Sequence, residues 1–266
     1  MKVVLFCGGQ GMRLRESLQP MPKPMVVLGY RPILWHLMKY YSHYGHHDFV
    51  LCLGHGADII KQAFLDYNEC VSNDFVLSGG GKKVELLRKD IEAWRITFVD
   101  TGKNANVGQR LLRIRKFIGE DEIFLANYAD GLTDLSLSTQ IEYFKASGKL
   151  ACFVGVTPTA TFHQVSMEPD GVVSDIAHIA RSGSVMNGGF FVFRREIFDY
   201  IKEGEDLVEE PFRRLIADKQ LIAYPHNGFW ACMDTFKEKQ YLEDLHATGR
   251  APWQVWDEEV AAKKGK

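Results

Sequence analysis

The amino-acid sequence predicts an α/β fold with a mixed, mainly parallel central sheet, and two observations support this. Short apolar runs rich in β-branched residues alternate with segments of helical period, which is typical of βαβ units. The 266 residues, 46% hydrophobic and 25% charged, have the composition of an ordinary globular protein. We expect one domain over residues 1–256, because a chain of this size buries roughly three quarters of its unfolded surface. A flexible tail over residues 257–266 should follow it.

The first half of the chain, residues 1–131, predicts the more regular part of the sheet. Pro32 suits the start of a helix and Gly45 its end, while the glycines at 79–81 suit a tight turn. The predicted elements are a strand at Val3–Phe6, a helix at Pro32–Tyr44, a strand at Phe49–Leu53, a helix at Asp58–Tyr67, antiparallel strands within Phe75–Val99, a helix at Gln109–Ile118 and a central strand at Ile123–Tyr128.

The second half, residues 132–256, predicts a smaller β-rich portion flanked by helices. Its predicted elements are a helix at Leu137–Ser147, strands at Leu150–Val156, Val165–Met167, Val172–Ile176 and Val185–Phe193, helices at Arg195–Lys202 and Glu209–Asp218, a strand at Leu221–Tyr224 and a helix at Thr235–Thr248.

Charge and cysteine usage exclude several classes of protein. Thirty-two basic and 34 acidic residues leave a net charge of −2, so nucleic acid and anionic membranes are not expected partners. The first apolar stretch is too short for a signal peptide and the most apolar later segment is far shorter than the ~20 residues of a membrane helix, which predicts a cytoplasmic protein. Five scattered cysteines without a CxxC motif suggest neither a disulfide framework nor a zinc site.

A glycine-rich turn directly after the first predicted strand is the strongest chemical signal. Gly8, Gly9 and Gly11 allow backbone amides to approach a phosphate closely, and Arg13 adds a planar set of donors. Lys23 follows between two prolines, which restrict the backbone that carries its ammonium group. Alternatively, the glycines serve the turn geometry alone. The spacing fits neither the GxGxxG dinucleotide fingerprint nor the P-loop, since no GKS or GKT follows.

Several stretches together resemble one enzyme family over residues 1 to about 256. They are GGQGMRL, PKPM, GYRPILWHLMKYY, YADG, MNGGFFVF, FWACMDT and APWQVW. The sequence resembles the sugar-1-phosphate nucleotidyltransferases, and PILWH, VDTG, NGGFF and APW point to their glucose-1-phosphate cytidylyltransferase branch. The resemblance implies a Rossmann-like nucleotidyltransferase fold with a nucleotide-binding part over about 1–131 and an acceptor-binding part over about 132–256.

The same resemblance implies a reaction. A nucleoside triphosphate, with CTP favoured over UTP or dTTP, would transfer its nucleotidyl group to a sugar 1-phosphate and release pyrophosphate, with Mg²⁺ as the cofactor. Such a transfer needs positioning and charge neutralisation rather than a protein nucleophile. The family also implies a homo-oligomer.

The family motifs assign roles to residues of this chain. Arg13 and Lys23 would be catalytic, on the β,γ-phosphates and on the α-phosphate. The nucleotide would contact Gly8, Gly9, Gln10, Gly11, Met12, Arg13, Lys23, Thr101, Gly102, Arg110 and Ala129. Asp130 and Asp234 would hold the metal, and either could instead be a helix N-cap. Acceptor binding falls to Tyr128, His178, Asn187, Gly188 and Trp230, although the two aromatic residues could equally pack in the core and the glycines could form a strand bulge.

Three departures from the family pattern concern the site. Met12 stands where the family usually has threonine, and Ala129 where it has glycine. More importantly, residues 174–184 lack the family's Glu-Lys-Pro, so that His178 stands at the position of its lysine. Histidine binds anions more weakly than lysine at neutral pH, because its free side chain titrates near ~6.5. Three interpretations remain open: a different phosphorylated or phosphonate acceptor, an altered mode of binding through His178 and Arg181, or a nucleotide-binding regulatory protein that lost acceptor chemistry.

Overall fold

The chain forms sixteen strands and six α-helices within the residues that the computed structural model describes, namely 1–9, 21–158, 162–181 and 183–257. The strands are β1 (Val3–Phe6), β2 (Val27–Leu28), β3 (Arg31–Pro32), β4 (Asp48–Leu53), β5 (Phe75–Ser78), β6 (Lys83–Leu86), β7 (Arg95–Asp100), β8 (Ile123–Tyr128), β9 (Gly131–Thr133), β10 (Ala151–Val156), β11 (His163–Met167), β12 (Val173–His178), β13 (Met186–Asn187), β14 (Phe191–Arg194), β15 (Leu221–His226) and β16 (Trp230–Cys232). The α-helices are α1 (Ile33–His43), α2 (Ala57–Leu65), α3 (Val107–Ile118), α4 (Leu137–Ser147), α5 (Glu210–Ala217) and α6 (Phe236–Ala247).

One mixed sheet runs through both halves of the described chain. Its strand order is β7–β4–β1–β8–β14–β10, with β15 and β13 on opposite sides of β10. Strands β7, β4, β1 and β8 are parallel to one another, whereas β14 runs antiparallel to both β8 and β10. The predicted mixed, mainly parallel α/β fold is therefore confirmed. The carboxyl ends of β1, β4, β7 and β8 meet at one edge, which is where sheets of this kind place ligands.

Helices cover both faces of the sheet because its central strands are apolar on both faces. Val3 and Leu5 of β1 pack with α1, while Val4 of the same strand packs with α3 through Leu111 and Ile114. Successive strand residues point to opposite faces, so the uninterrupted run VVLF predicts burial on both. In the part of the chain described, no helix is long and apolar enough to cross a membrane.

Most predicted elements are present with boundaries shifted by one to three residues, but two predictions are wrong. Within the predicted antiparallel region, only β5 and β6 form a hairpin, whereas β7 joins the main sheet parallel to β4. The predicted strand Val185–Phe193 is interrupted, because Gly189 and Phe190 have positive φ angles of 77° and 48° that no extended strand accommodates. An apolar run carries no signal for which neighbour it pairs with, nor for such a turn inside it.

Candidate active site

The ends of three parallel strands form the floor of the candidate site. Cys7 continues β1 and donates its backbone N–H to the Cys52 carbonyl of β4 at 3.0 Å. Thr101 follows β7, is fully buried, and donates both its backbone N–H and its hydroxyl to the Leu53 carbonyl, at 2.9 and 2.7 Å. Cys7 and Gly8 therefore follow β1 at a tightly connected edge of the sheet.

The Arg110 side chain forms hydrogen bonds at the ends of all three strands. Its guanidinium donates to the Leu53 carbonyl at 3.0 Å, the Thr101 hydroxyl at 2.7 Å and the Gly8 carbonyl at 2.9 Å. The side chain is buried, and burial lowers the pKa of Arg110 from its usual value. A Cβ on Gly8 would overlap the guanidinium, so glycine is required there for packing.

Three further predicted nucleotide-binding residues belong to the described part of the chain. Gly9 is exposed, Ala129 is buried beside Asp130, and Gly102 has a φ of 85° with its N–H bonded to the Asp100 carboxylate at 2.9 Å. Arg113 reaches the Thr101 carbonyl from α3. Gln10, Gly11, Met12 and Arg13 lie outside the described residues, so their predicted roles stay predictions.

Lys23 lies between the two aspartates that the sequence assigns to a metal. It begins a 3₁₀ turn (Lys23–Met25) after Pro22, and its Nζ donates to Asp130 Oδ2 at 2.5 Å and to Asp234 Oδ1. Burial lowers the pKa of Lys23, but the two carboxylates outweigh it and raise that pKa above its ordinary value. Burial raises the pKa of Asp130, opposed by the ammonium of Lys23. The lysine therefore stays charged at neutral pH.

A short pair of strands, missed by the sequence analysis, brings the two aspartates together. Strand β9 pairs antiparallel with β16, and the Met233 N–H donates to the Asp130 carbonyl at 3.0 Å. Neither aspartate is a helix N-cap: Asp130 precedes β9, and Thr235 caps α6 by accepting the Glu238 N–H at 3.3 Å. Only pairing between residues a hundred positions apart makes the carboxylates neighbours.

The two carboxylates fit a hard divalent cation. An oxygen of each carboxylate contacts the ammonium of Lys23, so the two carboxylates are close enough to share one cation. Hard carboxylate oxygens, completed by water or phosphate oxygens, are the ligands that Mg²⁺ prefers. No group of three or more His, Cys, Asp or Glu residues able to hold a metal occurs in the described ranges. The chain thus offers two ligands rather than a complete cage.

Four of the five predicted acceptor residues lie together beside Asp130. The Trp230 indole donates to the Gly188 carbonyl at 2.8 Å, and Asn187 accepts the Gly189 N–H at 2.9 Å. Tyr128 packs on Phe191 with ring centroids 5.4 Å apart, and burial raises its pKa to about 12. Tyr128 therefore packs in the core, which was the alternative role considered for it.

His178 lies apart from these four residues, on a ribbon of two antiparallel strands, β11 and β12. Its ring packs edge-on against His163 with centroids 5.4 Å apart, and its Nδ1 accepts the Ala180 N–H at 3.2 Å. The ribbon connects β10 to β13, and β10 runs parallel to β8, so the ribbon leaves the sheet at the edge that carries Asp130. The pairing with His163 escaped the sequence analysis because cross-strand register cannot be read from a single strand.

Comparisons with known proteins identify the family of this chain. The family model "Nucleotidyl transferase" matches residues 2–248. Glucose-1-phosphate cytidylyltransferase of Salmonella typhi is 38% identical over 258 residues, covering 97% of this chain and all of the relative. Two solved structures share the fold: UDP-glucose pyrophosphorylase of Acinetobacter baumannii (TM-score 0.68, 16% identity, 98% of each chain) and HddC of Yersinia pseudotuberculosis (TM-score 0.64, 20% identity, 92% of this chain and 99% of the other). The chain therefore belongs to the nucleotidyl transferase family and resembles the glucose-1-phosphate cytidylyltransferases over nearly its whole length.

Proposed function

We propose that the protein transfers the cytidylyl group of CTP to the phosphate of a sugar 1-phosphate and releases pyrophosphate. The observation that carries this proposal is the Lys23 ammonium held between Asp130 and Asp234, at the sheet edge where β1 and β8 end. The relatives that match nearly full length are named for this reaction, which supports CTP and a sugar 1-phosphate as the reactants.

The chemistry of the transfer matches the charges at this edge. An acceptor phosphate oxygen attacks the α-phosphorus, the bond to the β-phosphate oxygen breaks, and pyrophosphate leaves with the bonding electrons. Several negative charges must be brought together, so positioned cations and N–H donors lower the barrier most. In this proposal Lys23 binds the α-phosphate, Arg13 the β,γ-phosphates, and the turn from Gly8 offers backbone amides. Thr101, Gly102 and Arg110 lie where they would shape the floor beneath the nucleotide.

Asp130 and Asp234 would hold Mg²⁺ in the loaded enzyme. The ion supplies charge neutralisation on the phosphate oxygens when it is bound. Tyr128, Asn187, Gly188 and Trp230 would form the wall on which the sugar rests, since they adjoin Asp130 through β8 and β9.

Pyrophosphate release tests the proposal directly. Purified protein is incubated with CTP, UTP, dTTP or GTP and with glucose 1-phosphate, with and without Mg²⁺, and pyrophosphate is quantified. We expect the highest rate with CTP and loss of release when EDTA removes the metal. No release from any triphosphate with a pool of sugar 1-phosphates would overturn the proposal and favour a regulatory nucleotide-binding protein.

A second candidate is the same transfer to a different phosphorylated or phosphonate acceptor. The ribbon favours this candidate, because His178 stands at the position of the family's lysine and packs on His163. A panel of hexose 1-phosphates, other phosphomonoesters and phosphonates, ranked by kcat/KM with CTP fixed, separates the two candidates. Glucose 1-phosphate ahead by a wide margin would exclude the second.

A further inference from the structure

Phe190, a buried residue beside the acceptor wall, has a backbone conformation that is unfavourable for a residue with a side chain. Phe190 has a φ of 48° and is 1% exposed. The left-handed region is unfavourable for a residue with a Cβ, and such residues persist only where their surroundings hold them. In the described residues, the other non-glycine with positive φ is Lys219, which is exposed at the end of α5.

Two side-chain amides from different elements hold both backbone groups of Phe190. Asn127 of β8 accepts the Phe190 N–H at 2.9 Å, and Gln140 of α4 donates to the Phe190 carbonyl at 2.6 Å. Both amides are buried, Asn127 to 1% and Gln140 to 0% exposure. A buried amide is costly without a partner, so each amide and its backbone partner stabilise one another. The ring of Phe190 packs on Tyr40 and Tyr41 with centroids 5.5 and 6.2 Å apart.

The clamped residue ends the turn that shapes the acceptor wall. Gly189 precedes Phe190. The Gly189 N–H donates to the Asn187 side chain, and the Gly189 carbonyl accepts the Val154 N–H at 2.9 Å. Gly188 accepts the Trp230 indole. A change in the Phe190 backbone would therefore move Asn187 and release Trp230. Moreover, Asn127 lies three residues before Asp130 on the same chain segment, which links this turn to the candidate metal site.

We infer that Asn127 and Gln140 are positioning residues for the acceptor: acting through the backbone of Phe190, they hold Asn187 and Trp230 in the geometry that binds the sugar phosphate. This inference rests on the proposed function, because it takes Asn187 and Trp230 as the acceptor wall. It adds two residues to the site that touch neither the nucleotide nor the acceptor.

Kinetics of single variants test the inference. Asn127→Ala removes the acceptor of the Phe190 N–H, and Gln140→Met keeps the side-chain length while removing the donor to the Phe190 carbonyl. For each we expect KM for the sugar 1-phosphate to rise about fivefold to tenfold, with KM for CTP and kcat within about twofold of wild type. Gln140→Met preserves core volume, so it keeps the test open if Asn127→Ala folds poorly.

A matched control removes a buried hydrogen bond outside the turn. Tyr40→Phe retains the ring against Phe190 but deletes the hydroxyl that donates to the Leu135 carbonyl at 2.9 Å. It should lower the melting temperature without moving either KM. If the clamp variants instead raised both KM values together, or neither, the positioning role would be overturned.

Hydrogen exchange gives a readout that does not depend on turnover. In both clamp variants, peptides spanning residues 186–191 should exchange at least tenfold faster than in wild type, while peptides of β1 and β4 remain unchanged. Unchanged exchange at 186–191 would show that the amides do not hold the turn. If wild type released no pyrophosphate under any condition, the proposed function and the acceptor role would both fall, and exchange would still decide whether the clamp exists.

Discussion

The nucleotide end and the acceptor end of the candidate site are built differently. At the nucleotide end, Arg110 and Thr101 are buried and bonded to the ends of three parallel strands. At the acceptor end, His178 lies on a ribbon whose strands are exposed along almost their whole length. Polar groups inside the sheet edge cannot change without leaving a buried partner unpaired, whereas a ribbon outside it can. A substitution on the ribbon, such as one at His178, should therefore disturb the fold less than one at Arg110 or Thr101.

The largest expected effect concerns Lys23, where the two ends meet. Lys23→Ala should lower turnover at least a hundredfold with the fold retained, because the loss of one preorganised donor costs about 3–4 kcal/mol of barrier. Lys2→Ala is the matched control: Lys2 also lies between two aspartates, Asp48 and Asp121, and its side chain is 22% exposed against 19% for Lys23. Pyrophosphate release measures both. Near-normal turnover of Lys23→Ala would remove the lysine from the mechanism.

The same variant tests the metal site by stability. Without Lys23, the two carboxylates lose the ammonium that they share, so Mg²⁺ should raise the melting temperature of Lys23→Ala by more than that of wild type. Equal shifts would argue that these carboxylates do not hold the ion.

A smaller effect on activity should follow when hydrogen bonds are removed at the nucleotide end alone. Arg110→Lys keeps the positive charge but cannot reach the three acceptors that the guanidinium fork satisfies. We expect KM for CTP to rise about tenfold while KM for the acceptor stays within twofold. Arg113→Lys, from the same helix, is the control, because Arg113 contacts only the outer carbonyl of Thr101 among these groups. Equal rises in both KM values for Arg110→Lys would break the distinction between the two ends.

A buried histidine, His36, also predicts that the stability of the protein depends on pH. His36 is buried, its Nε2 lies 2.9 Å from the Leu28 carbonyl, and burial lowers its pKa from 6.5 to about 4. Because the folded pKa lies below the unfolded one, the neutral ring contributes stability above about pH 6.5, and this is lost as the pH falls towards 4.

We therefore expect wild type to lose about 1 kcal/mol from this residue between pH 7 and pH 5.5. Unfolding in urea at the two pH values measures the loss, and His36→Gln should show a smaller one. An identical slope for His36→Gln would contradict the assignment.

The smallest effect is expected on the ribbon. His178→Gln should raise KM for the best acceptor about threefold and leave KM for CTP and the melting temperature unchanged, since the residue lies outside the sheet. His163→Gln serves as its partner variant. A large loss of stability would mean that the ribbon is as tightly built as the nucleotide end.

Local patterns in the sequence were sufficient for most of the fold. The four-residue run of β1, the Pro32 and Gly45 boundaries of α1 and the alternation of strands with helices each act over a few residues, and the structure has these elements where they were expected. The site was predictable only through motifs: Lys23, Asp130 and Asp234 were named together because their stretches resemble a family, and the structure brings them together. Asn127 and Gln140 escaped notice, since one polar residue in an apolar strand or helix carries no signal of its distant partner.

The alternation of strands and helices and the restricted backbone around Lys23 follow from local sequence, because hydrophobic period and φ restriction are properties of short segments. Local sequence does not specify that β9 pairs with β16 and places two carboxylates on one ammonium, that Arg110 bonds to three strand ends, or that two amides hold Phe190. Apart from the bond between Arg110 and Thr101, these contacts join residues about fifty to more than two hundred positions apart. Their energies depend on burial and mutual geometry, which exist only once the chain has folded.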